Sequence, residues 1–343
     1  MDWYQHVLKP LLFCVDPEVA HDISLQVLKV ASRAPWLLRL LLEERRRPVP
    51  RRLFGLTFPN PVGLAAGVDK NAVAIPAWAS LGFGFVEVGT ITAQAQSGNA
   101  KPRLFRHPRH EALINRMGFN NDGAQAVAAR LRAARQRPSW PDVPLGINLG
   151  KSKAAPLERA AEDYLDSFRA LRDLGDYFVL NVSSPNTPGL RTLQERPALS
   201  ALLRAVQTEN RGKKPLLVKI APDLNWEQIE DVLALVEEHR LAGLIATNTT
   251  LDRRNVGLGA GRFEAGGLSG RPLGARALEI LKFLKARGSA PVISVGGIVR
   301  PEDAQARFDA GAELVQLYTG FIYYGPGLVR AVIRRLDENQ AAS

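Results

Sequence analysis

Short apolar segments alternate with amphipathic stretches along most of this 343-residue chain. From Val62 onward, eight segments are rich in branched aliphatic residues and carry Gly, Asn, Ser, Thr or Lys at or near their ends. Continuous apolar strands separated by helices predict a parallel sheet covered on its outer face, and eight such units predict a (β/α)₈ TIM barrel. The predicted strands are Val62–Gly67, Phe83–Thr90, Pro144–Leu149, Tyr177–Ser183, Leu216–Ile220, Gly243–Thr249, Val292–Gly296 and Leu314–Tyr318, with helical stretches such as Trp226–His239 and Arg276–Ala286 between them.

The N-terminus has a different pattern, which predicts a helical segment over residues 1–47 ahead of a barrel domain over residues 48–343. Apolar residues at helical spacing on either side of Asp16-Pro17 predict two short amphipathic helices, and a third apolar group, Trp36 to Leu42, precedes Arg45-Arg46-Arg47. Apolar faces with basic flanks favour insertion into one leaflet of a membrane surface. The alternative is a helical hairpin packed on the barrel. The two apolar groups are Trp3, Val7, Leu8, Leu11 and Leu12, then Val19, Ile23, Val27 and Val30.

One segment, Leu180 to Arg191, marks the expected active site. The apolar run of the fourth strand stops in a cluster of hydroxyls, amides, prolines and glycine, which is typical of a strand that leads into a binding loop. Ser184 therefore lies at the mouth of the predicted barrel. Asn181 and Asn186 flank it and offer uncharged donors and acceptors to a planar polar ligand.

Polar residues follow most of the other strands at the same end. In a TIM barrel this end carries the active site. Strands seven and eight end in Gly296-Gly297 and Tyr318-Thr319-Gly320, whose backbone amides suit a phosphate. A phosphate-bearing cofactor is therefore expected there. The remaining strand-end residues are Lys70, Thr90, Asn148, Lys219, Thr247, Asn248 and Thr249.

The connection after the second strand is too long for a simple loop, and long insertions at a barrel mouth are usually functional. It contains Lys101-Pro102-Arg103-Leu104-Phe105-Arg106 and then Ile114-Asn115-Arg116-Met117-Gly118-Phe119-Asn120. We expect Asn115 and Phe119 to return over the site as a wall or lid.

Charge and cysteine content exclude several classes of function. The chain has 45 Lys plus Arg against 34 Asp plus Glu, a net charge of +11, which favours anionic partners. Nucleic acid is not the expected one, because many of the arginines lie on helices where a solvated face explains them. The single cysteine, Cys14, excludes an intrachain disulfide framework. Histidine spacing predicts no metal site, and no apolar run approaches the roughly 20 residues that cross a bilayer.

Six motifs together resemble those of class 2, quinone-dependent dihydroorotate dehydrogenases, and the resemblance extends over nearly the whole chain. They are Ala65-Ala66-Gly67-Val68-Asp69-Lys70, Glu87-Val88-Gly89-Thr90, Ile114-Asn115-Arg116-Met117-Gly118-Phe119-Asn120, Asn181-Val182-Ser183-Ser184-Pro185-Asn186-Thr187-Pro188-Gly189, Asn248-Thr249-Thr250 and Gly267-Leu268-Ser269-Gly270.

This resemblance implies one FMN per chain. Lys219 would place positive charge near the pyrimidine end of the flavin, and Gly297 and Thr319 would offer amides to its phosphate. The implied FMN-binding residues are Ala66, Gly67, Val68, Asp69, Lys70, Thr90, Asn148, Asn181, Lys219, Thr247, Gly270, Gly297, Tyr318 and Thr319.

The implied reaction is the oxidation of dihydroorotate to orotate in pyrimidine biosynthesis. Ser184 would accept the ring proton while a hydride goes to flavin N5, with Thr187 and Phe119 as candidates for proton relay and lid. Related classes use a cysteine base, but Cys14 lies far away in the N-terminal segment. The implied substrate-binding residues are Lys70, Asn115, Arg116, Met117, Gly118, Phe119, Asn181, Asn186, Asn248 and Thr249.

The serine class also implies a membrane quinone as electron acceptor and no iron–sulfur partner subunit. His21, Arg106 and Tyr318 match family positions near the quinone, although a histidine on an apolar helix face is often a packing residue. The implied location is the cytoplasmic face of the bacterial inner membrane, with the N-terminal helices on the lipid surface.

Two alternatives remain open from the sequence. Other FMN barrels reduce uridine in transfer RNA, which the positive charge would suit, but they use a cysteine acid and a separate RNA-binding domain that this chain lacks. A non-enzymatic peripheral membrane protein would not need its strand-end residues.

The chain departs from the family between residues 92 and 100, where several usual prolines are missing, and we expect this loop to be less rigid when unbound.

Overall fold

The computed structural model describes residues 2–41, 49–256 and 264–342. The strands in these residues are β1 (Arg51–Leu53), β2 (Leu56–Phe58), β3 (Val62–Leu64), β4 (Phe85–Ile91), β5 (Leu104–His107), β6 (Ala112–Asn115), β7 (Leu145–Leu149), β8 (Tyr177–Asn181), β9 (Leu216–Ile220), β10 (Gly243–Ala246), β11 (Gly267–Gly270), β12 (Val292–Val295) and β13 (Leu314–Leu317).

The helices of the described residues alternate with the barrel strands and precede them at the N-terminus. A π-helical turn, Tyr4–Leu8, leads into α1. The α-helices are α1 (Lys9–Phe13), α2 (Pro17–Ala31), α3 (Pro35–Leu41), α4 (Ile75–Ser80), α5 (Ala124–Arg135), α6 (Ala160–Leu171), α7 (Arg196–Asn210), α8 (Trp226–Glu238), α9 (Gly274–Arg287), α10 (Pro301–Asp309), α11 (Thr319–Tyr324) and α12 (Pro326–Ala342). Short 3₁₀ helices lie at Pro108–His110, Leu157–Arg159, Leu190–Gln194, Arg254–Val256 and Arg271–Leu273.

Eight parallel strands close into a barrel, which confirms the predicted fold. Their order around the barrel is β3, β4, β7, β8, β9, β10, β12 and β13, and β13 pairs with β3 to close the ring. Every predicted strand is present, but β3 and β10 end before the predicted Gly67 and Thr249. Backbone beyond these ends still makes single hydrogen bonds to its neighbours, such as Ala65 N–H to the Leu317 carbonyl and Thr247 N–H to the Val295 carbonyl, but the regular ladder has ended. The apolar pattern alone therefore extends the strands too far.

Local sequence explains where the helices begin. Asn225 caps α8 in a capping box, since its side chain accepts from the amide of Gln228 and the Gln228 side chain accepts from Asn225. The apolar stripe of α8, including Ile229 and Val232, is buried against the barrel. Asp16 caps α2 by accepting from the amides of Glu18 and Val19. Such caps contribute about 1 kcal/mol each.

Aromatic residues fill the base of the barrel. Glycines on neighbouring strands make room for them, because a Cβ on Gly63 would lie 2.2 Å from the Phe85 ring and one on Gly146 would lie 2.1 Å from the Tyr177 ring. The β1–β2 hairpin contributes Phe58, whose ring centroid lies 5.3 Å from that of Phe85. The base is therefore closed and apolar, which leaves the opposite end for ligands.

The insertion after β4 forms a small sheet beside the barrel mouth. In this sheet β6 pairs with both β5 and β11 in antiparallel register. The pairing brings Asn115 opposite Gly267 and carries the following residues, through Phe119, back over the mouth. The predicted return of the insertion is confirmed, although its sheet was not predicted.

The N-terminal helices pack on one side of the barrel and leave an apolar face exposed. Tyr4 and Gln5 donate hydrogen bonds to the carbonyls of Ile322 and Tyr323 in α11, and α2 contacts α4 and β5. None of the described helices is long and apolar enough to cross a membrane. Leu42, Arg45-Arg46-Arg47 and the predicted domain boundary at residue 47 lie outside the described residues.

Candidate active site

A cavity with about 970 Å³ of empty space, part of it open to solvent, lies at the C-terminal ends of the barrel strands. Residues at the ends of every barrel strand except β7 contribute to its lining. Its lining is Ala65, Ala66, Gly67, Lys70, Thr90, Asn115, Met117, Gly118, Phe119, Asn181, Ser184, Asn186, Lys219, Thr247, Asn248, Thr249, Ser269, Gly270, Leu273, Val295, Gly296, Gly297, Ile298, Gln316, Tyr318, Thr319 and Gly320.

Amide side chains form a directed hydrogen-bond network on one wall of this cavity. Thr90 donates through its hydroxyl to Asn148 Oδ1 at 2.5 Å, and Asn181 Nδ2 donates to Thr90 Oγ1 at 2.8 Å and to Asn148 Oδ1 at 3.2 Å. Asn248 Nδ2 then donates to Asn181 Oδ1 at 3.2 Å and to Ser183 Oγ at 2.9 Å. These amides come from different strands, so the closed barrel is what brings them together.

Ser184 lies at the cavity with 6% of its surface exposed. Its Oγ accepts a hydrogen bond from the backbone amide of Asn186 at 3.2 Å. Asn186 in turn donates through Nδ2 to Asn115 Oδ1 at 3.1 Å, and its carbonyl accepts from Asn99 Nδ2 at 3.1 Å. The loop after β8 is thereby joined to the insertion on the opposite side of the mouth.

Two buried lysines line the cavity without a protein partner. In the described part of the chain, neither the Lys70 nor the Lys219 ammonium group makes a hydrogen bond or ion pair. Burial, with a smaller contribution from Arg103, lowers the pKa of Lys70 to about 8. Burial also lowers the pKa of Lys219, against the charge of Glu87, which raises it. Buried cations without partners favour an acceptor-rich or anionic ligand.

Backbone donors lie at the β12 and β13 end of the cavity. Gly297 has a φ of +75°, and a Cβ there would lie 2.1 Å from Gly274 Cα, so only glycine permits this close approach. Among the described residues, the amides of Gly297 and Thr319 donate to no other group. The hydroxyls of Thr247 and Thr249 are also buried without a hydrogen-bond partner. The free backbone amides at the ends of β12 and β13 are suited to a phosphate.

The structure brings most of the residues predicted for the site to one cavity, but some of them lie elsewhere. Asn148 contacts the lining from behind, and Val68 is in the core. Asp69 fixes the turn before α4, because its carboxylate accepts from the amides of Val73 and Ala74 and from Trp78 Nε1. Thr187 is buried within the loop after β8, and its hydroxyl has no hydrogen-bond partner.

Arg116 does not line the cavity, although the sequence predicts it as a substrate contact. Its guanidinium donates to the carbonyls of Pro102 and Ala265 and lies 5.0 Å from the centroid of the Phe105 ring. A long charged side chain on the outer face of the insertion reaches solvent and neighbouring carbonyls instead.

Two polar residues of the barrel interior were missed by sequence reasoning. Gln316 lines the cavity, and Glu87 is fully buried beside it. The signal was present, because each is a lone polar residue inside an otherwise apolar strand. In the described part of the chain, no cluster of three or more His, Cys, Asp or Glu side chains could hold a metal ion.

The residues predicted for the quinone lie on the N-terminal side of the mouth. His21 lies on α2, near Lys70. Burial, and to a smaller extent the positive charge of Lys70, lowers the pKa of His21 to about 3. Arg106 donates to the carbonyls of Val15 and Phe13, and its guanidinium lies 4.5 Å from the centroid of the Phe13 ring. Tyr318 lines the main cavity, and its hydroxyl donates to the Gly67 carbonyl at 3.4 Å.

A family model and several known proteins similar to this chain share one description. The family model described as dihydroorotate dehydrogenase matches residues 49–339. A protein of Synechococcus sp. (strain JA-3-3Ab), named dihydroorotate dehydrogenase (quinone), is 53% identical, with 98% of this chain and 93% of that protein covered. A protein of the same name from Salinispora arenicola (strain CNS-205) is 56% identical, with 96% and 97% covered.

Solved structures give the same similarity in three dimensions. The crystal structure of dihydroorotate dehydrogenase from Eimeria tenella in complex with ferulenol has a TM-score of 0.84 at 38% identity, covering 95% of this chain and 93% of that chain. The ligand-free enzyme of the same organism also has a TM-score of 0.84, at 39% identity. The similarity therefore includes fold and sequence over nearly the whole chain.

Proposed function

This chain belongs to the dihydroorotate dehydrogenase family, and on that basis we propose that it oxidises dihydroorotate to orotate with FMN as prosthetic group and a membrane quinone as electron acceptor. One observation carries the proposal. A single cavity combines Ser184, four asparagine amides and two buried lysines without partners. Pyrimidine biosynthesis is the pathway that such a reaction serves.

The lining fits FMN by its donors and by the space that its glycines leave. Unpartnered amides at Gly297 and Thr319 suit the phosphate, and the ammonium of Lys219 suits a ring edge that gains negative charge on reduction. Gly67 leaves space beside Tyr318, because a Cβ there would lie 3.0 Å from its ring. We assign FMN binding to Ala66, Gly67, Lys70, Thr90, Asn181, Lys219, Thr247, Gly270, Gly297, Tyr318 and Thr319 of the lining, with Asn148, Asp69 and Val68 supporting them from behind.

Bound FMN would supply the hydride acceptor, at flavin N5, and the electrons that quinone later removes. The protein residues handle the substrate and its proton. Ser184 Oγ takes the proton from the ring carbon beside the carbonyl. A serine is a weak base, so the amide of Asn186, which donates to Oγ, is needed to stabilise the negative charge that develops there.

The asparagines orient the substrate ring. Asn115, Asn181, Asn186 and Asn248 present both donors and acceptors, which is the chemistry that pairs with cyclic amides. Lys70 would offer positive charge to the substrate carboxylate. Phe119 has only 9% of its surface exposed and excludes water from this side of the mouth. Thr187, with its unpartnered hydroxyl, is our candidate to receive the proton from Ser184.

The N-terminal helices are proposed to reach the membrane and the quinone. Leu11, Val27 and Val30 are more than half exposed, and burial of this apolar face in a lipid surface is favourable. Behind this face, the Phe13 ring of α1 contacts the Tyr323 ring of α11, with centroids 5.4 Å apart, and the Arg106 guanidinium of β5. Arg106 and a neutral His21 can donate hydrogen bonds to quinone carbonyls. We therefore propose a peripheral association with the cytoplasmic face of the membrane.

Anaerobic mixing of the purified protein with dihydroorotate tests the first half of this function. We expect a flavin absorbance spectrum that bleaches as one orotate forms per flavin. A protein that carries flavin but is not bleached by dihydroorotate would contradict the assigned substrate. A protein that takes up no FMN would contradict the assigned cofactor.

A further inference from the structure

Glu87 is the one carboxylate of the barrel interior among the described residues, and it has no role in the reaction proposed above. It lies on β4 with no exposed surface. Phe85 lies two residues earlier on the same strand and fills the barrel base. Residues two apart share one face of a strand, so the Glu87 side chain also points into the barrel. A charge in such a place is costly unless it is compensated.

Three donors converge on the Glu87 carboxylate. Asn148 Nδ2 donates to Oε1 at 2.9 Å, Gln316 Nε2 donates to Oε2 at 2.6 Å, and the Tyr177 hydroxyl donates to Oε2 at 3.4 Å. These three hydrogen bonds satisfy acceptor sites of the buried carboxylate. Within the described residues, however, Glu87 forms no ion pair, so its charge is offset only by groups farther away.

The charge that complements it is that of Lys219 on β9. Burial lowers the pKa of Lys219, and among the described residues it is the charge of Glu87 that opposes this effect and raises the pKa. In the low-dielectric interior two charges interact strongly beyond contact distance. Loss of the Glu87 charge should therefore lower the pKa of the Lys219 ammonium further below its ordinary value.

Other groups around Lys219 do not replace this effect. Tyr177 on β8 stays neutral, because burial and then Glu87 raise its pKa well above 10. The neighbouring strands present Asn181, which lies opposite Lys219, and Ile245, neither of which titrates. Lys70 reaches the same cavity from the β3 side and carries the same sign of charge.

Glu87 also fixes the orientation of the amide network. A carboxylate only accepts hydrogen bonds, so Asn148 must turn its Nδ2 toward Glu87. Asn148 Oδ1 is then left to accept from Thr90 and Asn181. The donor-to-acceptor direction of every hydrogen bond in this network, as far as Asn248, therefore follows from the Glu87 carboxylate.

We propose that Glu87 is a positioning residue of the flavin site, whose carboxylate keeps the Lys219 ammonium charged and orients Asn148. The proposal rests on the proposed function, since it assumes FMN in this cavity. If Lys219 stays charged over the working pH range, its positive charge stabilises the reduced flavin throughout that range.

Glu87→Gln removes the charge and can keep the hydrogen bonds. Gln316 Oε1 has no partner, so Gln316 can rotate its amide and accept from the new Gln side chain. We expect the variant to bind FMN and the pKa of Lys219 to be lower than in the wild type, so that Lys219 loses its proton at a lower pH. Reduction of the flavin then takes up one proton more than in the wild type, because Lys219 is protonated again when the flavin gains negative charge. The equilibrium constant for flavin reduction therefore falls about tenfold more per unit of pH increase.

The measurement is the flavin midpoint potential against pH in the FMN-loaded protein. Glu87→Asp should retain the wild-type slope, because it retains the charge. The double variant Glu87→Gln/Lys219→Met should lose the extra slope, because no lysine remains to titrate. Asp163→Asn is the matched control, since Asp163 is a buried carboxylate that accepts from the Ser152 amide away from the cavity.

Equal slopes for the wild type and Glu87→Gln would overturn the proposal, as would an extra slope that persists in the double variant. If Glu87→Gln does not fold, NMR titration of ¹³C-labelled lysines in the wild type replaces it. Lys219, assigned by the absence of its signal in Lys219→Met, must then be charged at neutral pH; a neutral Lys219 at neutral pH would overturn the proposal. A wild type without flavin would instead contradict the proposed function.

Discussion

The Glu18 carboxylate and the Arg103 guanidinium form a buried ion pair that joins the N-terminal helix α2 to the barrel mouth. Arg103 Nη2 lies 2.8 Å from Glu18 Oε1, and both side chains are 7% exposed. Arg103 also donates through Nη1 to the carbonyls of Ser97 and Asn99. Since Asn99 contacts the Asn186 carbonyl, one chain of hydrogen bonds connects the proposed quinone side to the loop of Ser184.

Breaking this ion pair should destabilise the protein. Glu18→Gln leaves the Arg103 charge buried without its partner, which should lower the free energy of unfolding by about 3 kcal/mol. The measurement is denaturant unfolding at neutral pH. Glu162→Gln is the control, because Glu162 pairs with Arg159 on the surface at 62% and 70% exposure; such a pair contributes about 0.5 kcal/mol. Equal losses of unfolding free energy in the two variants would contradict a larger contribution of the buried Glu18–Arg103 pair to stability.

The Glu18 contribution should also depend on pH. Burial raises the pKa of Glu18, but hydrogen bonds from Arg103 and Lys101 outweigh it, so the pKa is lowered from 4.5. A lowered pKa in the folded state means that the stabilisation is complete above about pH 4.5 and is lost as the pH falls through the folded value. The difference between wild type and Glu18→Gln should therefore shrink on acidification.

Replacement of Ser184 should slow substrate oxidation without loss of the flavin. For Ser184→Ala we expect an unchanged flavin spectrum and a rate of flavin reduction about 10²-fold lower, the scale of a lost general base. The measurement is anaerobic stopped-flow with saturating dihydroorotate. Ser183→Ala is a neighbouring comparison: its hydroxyl holds Asn181 and Asn248, so we expect weaker substrate binding there. Undiminished reduction in Ser184→Ala would exclude the serine as base.

His21 should lower the stability of the protein in mild acid. Its pKa of about 3 lies below the ordinary 6.5 because burial, then the charge of Lys70, disfavours the imidazolium form. A lowered histidine pKa means that the unfolded state binds the proton first, so stability falls as the pH drops below about 6.5. His21→Asn should flatten this dependence in thermal unfolding between about pH 7.5 and 5. His6→Asn, at an exposed position, should not change it.

The exposed N-terminal face should bind lipid. Leu11 and Val27 are 65% and 62% exposed, so Leu11→Glu/Val27→Glu should leave stability nearly unchanged. It should lower co-sedimentation with vesicles that contain anionic lipid by about 10²-fold, since each apolar side chain contributes about 1.5 kcal/mol or more on burial. Leu157→Glu, on the barrel at 36% exposure, serves as the control. Unchanged vesicle binding in the double variant would contradict a lipid contact at this face.

The barrel could be predicted from the sequence because buried parallel strands are continuous apolar runs. Leu216–Ile220, for example, was predicted with its observed bounds. The side sheet was not, because β5 contains Arg106 and His107 and is held by pairing with β6 rather than by an apolar pattern of its own. Tertiary pairing of this kind leaves little trace in local sequence.

The candidate site was predictable where motif and strand end coincide, as for Lys70, Ser184 and Asn248. Arg116 was included by its place in a motif, yet its guanidinium is held by the Pro102 carbonyl. Glu87 was missed because attention to strand ends overlooks charges deeper in the barrel. Only the closed barrel shows that Glu87 and Lys219 share one interior.

The most direct test of the proposed function is steady-state orotate formation from dihydroorotate with three acceptors in parallel. We predict turnover with a soluble quinone analogue, and none above background with fumarate or NAD as the sole acceptor. Turnover with fumarate or NAD but not with the quinone analogue would contradict the assignment of quinone as the electron acceptor.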